Sequence, residues 1–273
     1  MNPQLIRECE RAHYFMQLSS YFSELTDLPF VSFAYTRYVT DTWYNQAYNI
    51  NYTANDFTLT KFENILKTSE TFLSERARET CFYLTPATSP ANFGKFLEER
   101  NYGIFEEEAW MFFDRKKYPL LNVNNDIIIK EVSDDLLSTF EEVYQRTLPG
   151  PEVDGYIKCV VNGFIAQPPM VEIKYYIAFV DNKPVGMLSL LCFGKYAGLY
   201  AVAVDEGYRK QGICKALVSK AVDYAQKQNV EHLFLQTGNG ADSQLAFEKM
   251  GFVTEFIRIG YVPQSVIENM QHG

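Results

Sequence analysis

Apolar positions along this chain recur in two rhythms. Short runs rich in Val, Ile, Tyr, Phe and Thr predict strands. They lie at Phe30–Tyr38, Trp43–Asn51, Cys81–Thr85, Ile104–Phe113, Ile127–Glu131, Lys174–Val180, Val185–Cys192, Leu199–Val204, His232–Gln236 and Val253–Tyr261. Helical spacing predicts helices from Pro3 to about Ser23, over Leu59–Arg78, from Ser89 to Asn101, from Ser133 to about Arg146, and over Asp154–Ile165, Gly212–Gln228 and Asp242–Met250. Gly212–Gln228 shows the spacing best: Ile213, Leu217, Ala221 and Tyr224 share one face, and Lys215, Ser219, Asp223 and Gln226 the other. Ser89-Pro90 reads as an N-cap and first-turn pair. Asp181-Asn182-Lys183-Pro184 reads as a hairpin turn. From Ile127 onward the order is β-α-α-β-β-β-α-β-α-β. That is an α/β (α+β) chain with a mixed central sheet and flanking helices.

A break divides the pattern. Residues 115–126, RKKYPLLNVNND, combine a charge cluster, a proline and turn-forming asparagines. A chain of 273 residues also suggests two domains. We expect them at 1–122 and 127–273. Their ends are alike. Cys81-Phe-Tyr-Leu-Thr85, a helix and Phe96-Leu-Glu-Glu-Arg-Asn-Tyr102 parallel Leu233-Phe-Leu-Gln-Thr237, a helix and Ala246-Phe-Glu-Lys-Met-Gly-Phe252. This predicts a duplicated fold.

Composition narrows the function. The net charge of −9 is shared almost evenly between the halves, so no cationic footprint for nucleic acid is present. An acidic surface suits a cationic substrate, and serves solubility as well. The cysteines Cys9, Cys81, Cys159, Cys192 and Cys214 are scattered without metal-ligand spacing, so no metal is expected. The N-terminus has no apolar leader core, and no apolar run is long enough to span a membrane. The expectation is a cytoplasmic protein, monomer or homodimer, with no nucleic-acid or membrane partner.

The chemistry concentrates where Tyr200-Ala-Val-Ala-Val204 runs into a turn that opens a helix, with Arg209-x-x-Gly212-x-Cys214 in the turn. A helix N-terminus has unpaired N–H groups and the positive end of its dipole, and binds anions. Gly212 lets an anion approach the backbone, while Arg209, Lys210 and Lys215 add charge. The residues expected to cradle a pyrophosphate are Arg209, Lys210, Gln211, Gly212, Ile213, Cys214 and Lys215.

This window resembles motif A of the GNAT superfamily of N-acetyltransferases, Arg/Gln-x-x-Gly-x-Gly/Ala after the fourth strand. The end of the chain is similar too: Phe247-Glu-Lys-Met-Gly251-Phe252 stands where the family usually reads Tyr-x-x-x-Gly-Phe. The resemblance implies a GNAT fold over residues 127–273 and acetyl-CoA as cosubstrate. It implies that Val202, Ala203 and Val204 offer backbone N–H groups to the pantetheine and the thioester, and that a small-molecule or peptide amine accepts the acetyl group. Two departures stand out. Cys214 occupies a Gly/Ala slot, where it is small enough to fit. Phe247 replaces the usual tyrosine that protonates the departing thiolate, which leaves Ser243, one helical turn earlier, or a water as the candidate catalytic donor, unless Ser243 only caps the helix. Tyr200, Tyr208 and Tyr261 are alternatives. Glu131, Glu172, Asp205 and Glu206 lie near the right strands for a base, although isolated carboxylates are usually solvated.

The first half has no glycine before Gly94, so the helix at Leu59 lacks a motif A cradle. Asp41-Thr-Trp43-Tyr-Asn45-Gln-Ala-Tyr48 is similar to a stretch of tandem GNAT proteins whose N-terminal copy is degenerate. Trp43, Tyr44, Asn45 and Trp110 either line a cleft or pack the core. A non-catalytic acyl-CoA-binding protein is the main alternative. An aminoacyl-tRNA-dependent transferase is disfavoured by the intact cradle and the acidic charge. A dinucleotide-binding dehydrogenase is disfavoured because the G-x-G-x-x-G fingerprint is missing.

Overall fold

The computed structural model describes residues 1–18, 20–52, 59–117, 124 and 126–272. Most of the expected connection at 115–126 lies outside them. The elements are helix α1 (Pro3–Gln17), strands β1 (Glu24–Asp27), β2 (Ser32–Tyr35) and β3 (Gln46–Tyr48), helix α2 (Leu59–Ser74), strand β4 (Phe82–Leu84), helix α3 (Phe93–Glu98) and strand β5 (Tyr102–Phe113). Then come β6 (Ile128–Glu131), α4 (Leu137–Thr147), α5 (Val153–Ala166), β7 (Glu172–Val180), β8 (Lys183–Phe193), β9 (Tyr196–Val204), α6 (Ile213–Lys227), β10 (His232–Gly238), α7 (Asp242–Glu248), β11 (Phe252–Pro263) and α8 (Gln264–His272). None of the described helices is long and apolar enough to cross a membrane.

The chain forms two compact units, and these are not the contiguous segments 1–122 and 127–273 expected above. The first unit holds residues 1–18, 22–110 and 255–273; the second holds 19–21 and 111–254. The last strand thus begins in the second unit and ends in the first. In the first unit β1, β2 and β3 are antiparallel neighbours, β3 pairs with β4 in parallel, and β11 pairs with β4 through Ile259↔Leu84 and Tyr261↔Phe82. Its apolar core gathers Phe33, Phe62, Ile65, Phe82, Phe93, Phe96 and Tyr261. In the second unit β6, β7, β8 and β9 are antiparallel in that order, and β9 pairs with β10 in parallel.

The succession β-β-β-α-β-α-β occurs twice, as β1 to β5 with α2 and α3, and as β7 to β11 with α6 and α7. The closing strands β5 and β11 each have 12 residues, Tyr102–Phe113 and Phe252–Pro263, and match at a constant offset. This is the duplication that the sequence ends predicted.

Several expected elements shift. Helix α1 stops at Gln17 because Leu18 turns to extended backbone. Thr42–Tyr44 is a 3₁₀ turn capped by Asp41, not the start of a strand, and the Asp41 carboxylate accepts from Trp43 N at 2.9 Å. Ser89 does not cap α3, which begins at Phe93 with no side-chain cap. Strand β1 and helix α8 were not anticipated.

Candidate cofactor cradle and acyl-transfer site

Strand β9 carries the site. Its register with β8 steps from Ser189↔Tyr200 to Met187↔Ala203, so Ala201 and Val202 together face Leu188. This is a β-bulge, and Ala201 takes φ +49 to make it. The parallel pairing of β9 with β10 runs from Tyr196↔His232 to Leu199↔Leu235, and both strands continue past it, to Val204 and Gly238. The sheet is buried up to Tyr200, whereas Ala201, Val202, Ala203 and Val204 are half-buried. The bulge and the end of pairing together leave this stretch of β9 with backbone groups that no described strand takes up.

The turn after β9 is tied at both ends. Asp205 accepts two hydrogen bonds from Arg146 of α4, at 2.8 and 2.9 Å, and Arg146 also donates to Pro184 O at 2.8 Å. Arg209 Nε donates back to Val204 O at 3.2 Å, and Gln211 Nε2 to Gly207 O at 3.2 Å. Lys210 at φ +62 and Gly212 at φ +89 then swing the chain into α6. Gly212 is the N-cap of α6, and no side chain caps the first turn. A Cβ at Gly212 would meet only Ile127 Cδ1, at 4.0 Å, so the approach to these N–H groups is open. Arg209, Lys210 and Gln211 are exposed, Cys214 and Lys215 half-buried, and Ile213 buried beneath them. Burial pushes the Cys214 thiol up to about 11, which leaves it protonated and unreactive near neutrality.

The proposed proton donors separate. Ser243 is exposed in the first turn of α7, where Ala241 is the N-cap, so Ser243 is not the cap. Its hydroxyl is hydrogen-bonded to Thr237 at the end of β10. Phe247 is buried edge-on against Phe252 at 5.9 Å and offers no proton. Tyr261 belongs to the first unit, where it donates to Glu98 at 3.4 Å. Three of the four candidate carboxylates are fastened elsewhere: Glu131 to Lys174 at 2.7 Å, Glu172 to the Tyr224 hydroxyl, and Asp205 to Arg146. Glu206 lies exposed in a 3₁₀ turn.

Three residues were not anticipated. Ala201 makes the bulge and Arg146 anchors the turn. Gln236, the first β10 residue past the pairing with β9, holds a buried Nε2 with no partner among the described residues. Only an Arg in the last turn of a predicted helix hinted at any of them.

Residues 130–252 match the Acetyltransferase (GNAT) family. An uncharacterized N-acetyltransferase of Methanocaldococcus jannaschii is 25% identical over 156 residues, covering 54% of this chain and 66% of its own length. The [ribosomal protein bS18]-alanine N-acetyltransferase of Escherichia coli K12 is 34% identical over 68 residues, covering 24% of this chain and 46% of its own. The chain thus spans two thirds or less of these relatives. A GCN5-related N-acetyltransferase from Kribbella flavida shares the fold with a TM-score of 0.71 over 94% of both chains at 12% identity. A tandem GNAT protein from the clavulanic acid biosynthesis pathway shares it with a TM-score of 0.63, over 85% of this chain and 77% of its own, at 10% identity.

Proposed function

We propose, from the match of residues 130–252 to the Acetyltransferase (GNAT) family, that the chain is a cytoplasmic N-acetyltransferase that moves an acetyl group from acetyl-CoA to a primary amine. The observation that carries this reading is the uncapped first turn of α6 at Gly212, opening directly from the bulged end of β9. The N–H groups of residues 210–215 would take the pyrophosphate, with Arg209, Lys210 and Lys215 supplying charge. Val202, Ala203 and Val204 would offer N–H groups to the pantetheine and to the thioester carbonyl. Fixed donors matter most there, because that oxygen gains negative charge as the amine attacks.

The amine must lose a proton to attack. With Glu131, Glu172 and Asp205 held in ion pairs and hydrogen bonds, water carries that proton out. The sulfur leaves readily, since a thiol has a pKa of about 8.5. Ser243, coupled to Thr237, is the proposed donor to it. The acceptor is a small-molecule or peptide amine, and the relative that acts on a ribosomal protein's alanine falls in this class. The enzyme would act as a monomer or homodimer, with the first unit as a degenerate copy lacking a cofactor cradle. Phe247 favours one second reading, a non-catalytic acyl-CoA-binding protein.

Calorimetric titration of acetyl-CoA tests the reading. One site per chain is expected, weakened at least tenfold by Arg209→Ala and abolished by Gly212→Glu. Folded wild type that binds no acetyl-CoA would sink it. Thiol release on an amine panel then separates enzyme from binder.

A further inference from the structure

The sheet of the second unit has two faces, and register assigns them. Tyr175 of β7 pairs with Ser189 of β8, and Ser189 with Tyr200 of β9, so these side chains share a face. Tyr175 stacks on Phe140 of α4 at 4.7 Å and donates to Val160 O of α5 at 2.9 Å, so α4 and α5 cover that face. The opposite face carries α6: a Cβ on Gly186, three residues before Ser189, would meet Ile213 Cγ2 at 3.2 Å. The proposed cofactor cradle therefore opens on the α6 face. Gln236 lies on the other. Strands β9 and β10 pair in parallel through Gly198↔Phe234 and Leu199↔Leu235, so Phe234 and Gln236 project to the same side as Gly198 and Tyr200.

Gln236 follows the last paired residue of β10, where the two strands cease to bond to each other. Tyr200 is its counterpart on β9. The Tyr200 ring turns back along its own strand, because a Cβ on Gly198 would overlap it, with Cζ at 2.6 Å. The bulky ring is thus directed away from Ala201, Val202, Ala203 and Val204, which stay half-buried, as do Gln236 and Thr237. Thr237 projects to the other side and is bonded to Ser243 of α7. Gln236 has no such tie. Its side chain is half-buried as a whole, yet its Nε2 is wholly buried and has no partner among the described residues. Buried polar atoms in native proteins are nearly always paired, and an unpaired donor costs stability. An amide N–H calls for an acceptor oxygen. An attacking amine does not fit, since its lone pair goes to carbon. The carbonyl oxygen of a thioester held by the N–H groups of Val202, Ala203 and Val204 does fit.

We propose that the Gln236 amide is a further donor to the thioester carbonyl of the bound acyl-CoA, completing from β10 an oxyanion site whose other donors are the N–H groups of β9. This role rests on the acetyltransferase reading and adds a side chain to its chemistry. As the amine adds to the carbonyl carbon, the C=O π pair moves to oxygen, and donors on both strands stabilise the charge formed there. When the C–S bond breaks, its electron pair leaves with sulfur and the C=O bond re-forms. Gln236 moves no proton in either step.

The test compares acetyl-CoA with S-ethyl-CoA, a thioether that lacks the carbonyl oxygen, by calorimetry on the full chain. Gln236→Met keeps the length of the side chain and removes the amide. It should weaken acetyl-CoA about fivefold, the worth of one hydrogen bond, and leave S-ethyl-CoA unchanged. With acetyl-CoA labelled with carbon-13 at the carbonyl, the downfield shift on binding wild type should shrink in the variant. Wild-type affinity and shift in Gln236→Met overturn the proposal, and so does an equal loss for both ligands, which marks a general structural role. Because the substitution removes an unpaired buried donor, its Tm should match or exceed that of wild type. A variant that melts well below wild type or fails to fold shows that the amide is satisfied within the protein, and that also overturns the proposal. Wild type that binds neither ligand brings down the transferase reading and this role together. Wild type that binds both, with a variant that behaves identically, brings down this role alone.

Discussion

Gly212 has two separate reasons to be glycine. Its φ of +89 disfavours any side chain, and its open approach keeps the α6 N–H groups accessible. Gly212→Ala separates them: the small methyl leaves the approach open, so the main cost is conformational, about 1 kcal/mol of stability by chemical denaturation, with acetyl-CoA affinity reduced far less than in Gly212→Glu. Phe247 and Ser243 can be compared in the same way. A general acid contributes about 10²–10⁴ in rate. If Ser243 is the donor, Ser243→Ala lowers kcat by at least tenfold with little change in KM for acetyl-CoA. Phe247→Tyr in that background then restores part of the rate, and an unchanged kcat in Ser243→Ala removes the residue from the mechanism. Cys214 lies inside the proposed cradle, yet burial keeps its thiol protonated. Alkylation at pH 8 should therefore be much slower than for a free thiol, and Cys214→Ala should keep most of the activity.

Among elements, the turn between β9 and α6 depends on α4. Arg146 clamps Asp205 and Pro184 from outside the motif. The pair is partly exposed, so its effect is modest, on the order of 1 kcal/mol. Arg146→Ala should raise KM for acetyl-CoA roughly threefold to tenfold and leave kcat nearly unchanged. The turn that opens α6 was readable in the sequence because its positive φ at Gly212 is a matter of local backbone chemistry. The bulge at Ala201 was not, since alanine carries no sign of a positive φ and the register with β8 is a tertiary property. Helix α6 was legible from its apolar face. Strand β1 and the 3₁₀ turn at Trp43 were not, because in so short a segment neighbouring strands and the Asp41 cap outweigh intrinsic preference. The duplication was legible at the matched ends, where β5 and β11 hold the same spacing. Which unit each closing strand completes depends on pairing between distant segments, which periodicity does not encode.

At the scale of the whole molecule, the first unit contains buried carboxylates that make its stability depend on pH. Burial raises Glu10 from the ordinary carboxylate value of 4.5 to about 7. Between those values the folded state keeps a proton that the unfolded chain has released, so stability falls as pH rises through the window and levels off above it. Glu10→Gln should remove this share of the slope, on the order of 1.4 kcal/mol per pH unit. Urea melts of wild type and variant from pH 5 to 8 check it. The unit boundaries carry a second consequence. Ile259, Gly260 and Tyr261 of β11 pair with β4, so a chain truncated after Thr254 loses a strand of the first unit. Such a truncation should give a first unit that aggregates, measured by light scattering, whereas cutting after Pro263 should keep it soluble.

That pairing also sets a schedule for biosynthesis. Leu84 leaves the ribosome roughly 175 residues ahead of its partner Ile259. At about 5–20 residues per second, the nascent first unit waits some 10–35 seconds with one edge of its sheet bare. Through that interval the second unit's strands emerge and pair among themselves, and the N-terminal copy is completed last although it is made first. A chaperone that holds exposed strand edges would shield it in that interval, and any dependence on one should end once the 12 residues of β11 have emerged.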